Sequence, residues 1–157
     1  MARPEFSVVF RFLRRIHAVR RYEMLCAAGA GTVYFAIVFA SGFVLGTVRV
    51  LLIAPRLGQM AAVFLEAPVI LTISWVVCRH CIDRFGVKDE FSSKMALGCV
   101  AFALLQCADL GVSVFLFNET PGAFFRAFSS TPGVIGLLAQ VAFGLFPSLQ
   151  RTRRRPG

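Results

Sequence analysis

An all-α integral membrane protein, a four-helix bundle preceded by a basic amphipathic helix, is the fold this sequence predicts. Three observations predict it. Apolar runs near the ~18–20 residues that cross hydrocarbon recur along the chain. Hydrophobic residues make up 57% of the 157 residues, with mean hydropathy +0.73, where soluble domains average about 45–50% apolar. The 17 Lys and Arg residues cluster at the termini and in one loop. That clustering explains the net charge of +9 by membrane topology and argues against nucleic acid as a partner. The length allows a single domain.

Residues 5–23, EFSVVFRFLRRIHAVRRYE, alternate apolar and basic positions at helical spacing. Phe6, Val9, Phe10, Leu13 and Ile16 share one side, and Arg11, Arg14 and Arg21 fall on the other. Such a segment either lies in the interface against anionic head groups or is a solvated basic tail that sets topology. His17 has no ligand set near it in the sequence. The first span is expected over 24–53, long enough to tilt or protrude. Gly42, Gly46 and Arg49 follow one face at i, i+4 and i+7, so a packing face carries Arg49 toward the bundle interior.

Ala54-Pro55-Arg56-Leu57-Gly58 reads as a turn, since Pro55 biases Ala54 out of the helical region and Gly58 loosens the chain. The second span, 60–77, contains Glu66 and a kinking Pro68. Residues 78–94 read as a polar loop carrying Arg79, Arg84, Lys88 and Lys94. In the third span, 95–117, Gly98, Phe102, Gln106, Asp109 and Ser113 form a small and polar stripe that faces protein. Residues 118–130 form a second loop, with phenylalanines at the interface. The fourth span, 131–149, spaces Gly136, Gln140 and Gly144 by four, which suits close packing with one interhelical hydrogen bond. The tail at 150–157 carries Arg151, Arg153, Arg154 and Arg155.

Fourteen of the 17 basic residues fall on one side of this arrangement, and only Arg49, Arg56 and Arg126 on the other. The asymmetry predicts a multi-pass protein with both termini cytoplasmic. Arg49, Arg56, Glu66 and Asp109 then converge in the outer half of the bundle. Unpaired charge at mid-bilayer costs at least ~2.5–3.5 kcal/mol, so an Arg49–Glu66 pair is expected, with Arg56 and Asp109 beside it and Gln106 as a hydrogen-bond partner. The cluster either fixes helix register or forms a site for a proton, an ion or a partner's charged group.

Five cysteines, all in or beside apolar segments, give no disulfide framework. Cys78-Arg79-His80-Cys81 is a CxxC that could lower a thiol pKa or seed a metal site, although a second ligand pair is absent. No nucleophile elbow, phosphate loop or HExxH motif occurs. No enzyme activity and no cofactor are therefore expected.

From Gly46 to Trp75 the pattern GTVRVLLIAPRLGQMAAVFLEAPVILTISW resembles a group of small bacterial inner-membrane proteins with a GxxRVL…PRLG…ExP signature and no assigned activity. Gly46, Arg49, Val50, Leu51, Pro55, Arg56, Leu57, Gly58, Glu66 and Pro68 carry the resemblance, with Asp109 similar to an acid in the third span of that group. It implies the four-helix architecture and a bacterial inner membrane. Three functions are open on these residues. One is a structural or assembly component that packs against a membrane protein partner or a second copy. Another is a small transporter or ion-conducting subunit working through Glu66 and Asp109. The third is thiol or metal chemistry at Cys78 and Cys81.

Overall fold

The computed structural model describes residues 4–116, 118 and 120–151, with side chains from Val19 onward except Arg20. Its elements are α1 (Pro4–Val48), a π-helical turn (Arg49–Ile53), α2 (Ala54–Phe85), α3 (Phe91–Leu116), α4 (Pro121–Ala127) and α5 (Thr131–Leu149). No strand occurs among the described residues. Three stretches are long and apolar enough to cross a membrane: Arg21–Phe85, Phe91–Leu116 and Thr131–Leu149. The first of these doubles back on itself. Gly42 lies against Ile70, Gly46 against Glu66 and Gly29 against Phe85, so α1 and α2 are antiparallel.

The reversal occurs at one residue. Ala54 is helical at φ −61° and ψ −39°, and Gly58 alone leaves the helix, at φ 80° and ψ 159°. The five-residue turn expected from Pro55 is therefore corrected. Proline lacks an N–H, and its ring clashes with the carbonyl four residues back. Widening the preceding turn to i→i+5, with Ala54 N–H donating to Arg49 O, lets the chain pass Pro55 without ending the helix. An L side chain at the φ of Gly58 is strained even though nothing lies within 4 Å of a Cβ there. Gly58→Ala should cost about 1–3 kcal/mol in thermal unfolding of the detergent-solubilised protein. Gly111→Ala, equally open but with no positive φ, should be close to neutral.

Three other boundaries differ from expectation. No break separates residues 5–23 from the first span: α1 has 45 residues, about 68 Å of continuous helix. The expected side-chain faces at 5–18, His17 included, and the tail arginines from 153 onward lie outside the described side chains. The second helix continues past Val77 to Phe85, where Gly86 caps it in the left-handed conformation at φ 61°. Only Gly86–Glu90 remain as loop. Part of the expected 118–130 loop is the short helix α4, capped by the Thr120 side chain, which accepts from Ala123 N–H.

Four helices close the bundle, with α1 against α2 and α3, and α5 against α2 and α3. Gly31 packs on Leu97 and Gly98 on Gly144. The buried core, including Ala27, Ala30, Tyr34, Cys78, Leu97 and Ala101, fills the half nearer the described ends of the chain. That end is clasped by polar contacts as well. Lys94 is buried, donating to Asp89 and, at 2.5 Å, to Gln150 O, while Gln150 Nε2 donates to Trp75 O at 2.7 Å. Glu23 pairs with Lys88, holding that ammonium above its ordinary value through the hydrogen bond between them. The ammonium side of this link is intact at neutral pH and is lost as pH rises past the ordinary lysine range.

Candidate functional site

The opposite half of the bundle is less tightly filled. A cavity of about 280 Å³ opens there, and Arg49, Glu66, Asp109 and Gln140 all line it. Each arrives from a different element. Arg49 is the first residue of the π-helical turn, two turns past Gly42 on the face that packs against α2. Glu66 lies eight positions after the Gly58 reversal, about 12 Å along α2. Asp109 is on α3 and Gln140 on α5. Val38, Phe39, Ile70 and Phe143 supply apolar wall.

The polar side chains form two pairs. Arg49 Nε lies 2.9 Å from Glu66 Oε2, with the two side chains 30% and 17% exposed. The contact is a charge pairing more than a directed hydrogen bond, since the buried Nε–H finds no acceptor in hydrogen-bonding geometry. Across the cavity, Gln140 Nε2 donates to Asp109 Oδ2 at 2.6 Å. Gln140 Oε1 is buried without a partner. A second cavity of about 260 Å³ shares Arg49, Pro132, Gly136 and Gln140 with the first and reaches Phe124 and Phe128 around α4. Arg49 and Gln140 thus stand where the two spaces meet.

Several expected members sit elsewhere. Arg56 is exposed and makes no ion pair among the described residues. In a regular helix, positions seven apart keep one face, but the extra residue of the π-helical turn rotates the succeeding positions by about 100°. Gln106 is not on the cavity wall, and its buried Oε1 has no partner. Gly136, expected at a close packing contact, has nothing within 4 Å of a Cβ position and borders open space instead. Gly42, Gly46 and Gly144 do meet neighbours, at 3.7 Å from Ile70, 3.9 Å from Glu66 and 3.3 Å from Phe102. Gln140 supplies a hydrogen bond between α5 and α3, with Asp109 as the acceptor.

The CxxC gives a different picture from a reactive dithiol. Cys78 and Cys81 are three positions apart on α2, so both face the core, and both are buried as free thiols. His80, some 200° around the helix from Cys78, is exposed and contacts its own helix at Val76 O, 2.9 Å away. The three side chains do not converge, and among the described residues no group of three or more His, Cys, Asp and Glu could hold a metal.

Lys94, expected in the polar loop at 78–94, is buried near the start of α3, and Tyr34 is a buried polar group that no motif marks. Tyr34 is fully buried, stacks on Phe143 with centroids 4.4 Å apart, and donates to Phe143 O at 3.1 Å. A tyrosine hydroxyl inside the apolar 24–53 segment was the available signal, because a buried phenol needs an acceptor. Comparison of the chain with family models, with characterised proteins and with solved structures finds no match.

Proposed function

We propose that this is a four-span bacterial inner-membrane protein, both termini cytoplasmic, that admits a small polar solute from the opposite side into an intramembrane site. It is a transporter or ion-conducting subunit more than a scaffold. The observation that carries the reading is the sharing of one cavity by the Arg49–Glu66 and Asp109–Gln140 pairs. A pair kept only to fix register needs no open volume beside it, and here a cavity of about 280 Å³ adjoins both pairs. Topology rests on the distribution of Lys and Arg, and the bacterial assignment on the GxxRVL…PRLG…ExP resemblance. Anionic lipid is the partner expected of the basic residues in 5–23 and in the C-terminal tail. A scaffold role loses its clearest device, since Gly42 and Gly46 are already occupied by α2.

The test uses Gly136→Cys, at a position with room for the side chain. In intact cells, a membrane-impermeant maleimide should label this variant from the periplasmic side above the level set by the wild-type chain, whose Cys99 and Cys107 are exposed thiols. Absence of labelling above that level in a folded, membrane-inserted variant removes the reading.

A further inference from the structure

Resting on that reading, we propose that the site selects a small cation bearing N–H donors, of the primary ammonium class. Charge in the cavity is unbalanced: one guanidinium faces two carboxylates. Arg49 is taken up by Glu66 at 2.9 Å. Asp109 has only the amide of Gln140, at 2.6 Å, and no cation within ion-pair distance among the described residues. An amide hydrogen bond leaves the carboxylate charge uncompensated where water is scarce. Beside it, Gln140 Oε1 is an acceptor without a donor, closed off from the cavity until the amide turns. Both groups call for donors. An ammonium group offers three N–H bonds and one positive charge, which answers Asp109 and Gln140 together. Val38, Phe39 and Phe143 give its alkyl part an apolar wall. At about 280 Å³ the space sits at the low end for ligand pockets, so the solute is small. The adjoining cavity, which shares Gln140 and Gly136, is the approach.

The experiment measures modification of Gly136→Cys in the full chain, in proteoliposomes without a membrane potential. The reagents are trimethylammonium-ethyl methanethiosulfonate and its anionic sulfonatoethyl counterpart. Normalised to each reagent's rate with a small free thiol, the cationic reagent should be favoured about tenfold or more, the lower end of what a charged cleft confers. Asp109→Asn should abolish the preference and Gln140→Glu should raise it. Methylammonium should slow the reaction more than tetramethylammonium, which has no N–H, and acetate should not slow it; equal protection by the two cations overturns the donor requirement. Equal rates, a faster anionic reagent, or a cationic preference that survives Asp109→Asn overturns the proposal while leaving an accessible cavity. Preference without protection by methylammonium also overturns it, pointing to Asp109 as a proton site. Modification by neither reagent removes the underlying reading as well.

Discussion

Glu66→Leu should destabilise the protein by about 3 kcal/mol, within the ~3–5 kcal/mol range for breaking a buried ion pair. The lower end applies because Arg49 and Glu66 remain 30% and 17% exposed. The loss arises less from the missing attraction than from the guanidinium left behind, which has no other acceptor among the described residues. Arg49→Leu alone should be similarly costly, since Glu66 would then stand uncompensated in the cavity wall. The double variant should recover most of the stability and can exceed the wild type, as two leucines fill part of the space. Thermal unfolding of all four proteins in one detergent closes the cycle. If the double variant is stable and still behaves as wild type in Gly136→Cys modification, the pair is only structural.

Gly98→Ala should be among the most damaging single methyls at the described glycines, beside Gly133→Ala, where a Cβ would lie 2.0 Å from Ala127 O. A Cβ at Gly98 would lie 2.1 Å from Gly144 O and 3.2 Å from its carbonyl carbon. Both are backbone atoms, so no rotamer change relieves the clash and α3 must move away from α5. The expected loss is at least the upper end of the ~1–3 kcal/mol usual for overpacking, read as lower yield and an earlier unfolding transition. Gly31→Ala, 2.7 Å from Leu97 O, should follow in rank. Gly136→Ala, with no neighbour within 4 Å, should be tolerated. Without that order, the close approach of these helices does not hold the bundle together.

The helical class and the apolar stretches were legible because length and hydropathy are local properties. The bounds of α5 were legible for the same reason, with Ser130 accepting from Gly133 N–H as an N-cap and Pro132 in the first turn. The end of α2 was obscured by Arg79 and Arg84, whose charges suggested loop while the helix continued to the Gly86 cap. The π-helical turn left no local sign beyond Pro55, and it moved Arg56 out of reach of Glu66. Sequence spacing shows which residues share a helix face, but not which face lies opposite. Arg49 and Glu66 are close along a hairpin, so their proximity followed from the reversal. Asp109 and Gln140 are 31 residues apart on separate helices, and their pairing depended on how α3 and α5 were rotated.

The Tyr34–Phe143 stack bears on whether this molecule can be a conduit at all. It lies between the cavity and the glycine-tight half of the bundle, with its hydroxyl tied to the Phe143 carbonyl at 3.1 Å. A solute that descends past Asp109 reaches a cul-de-sac, and onward passage requires that two aromatic rings part and one interhelical tether break. Under the transport reading proposed above, that rearrangement is the step by which a bound solute crosses, so the stack is the part of the bundle that has to move.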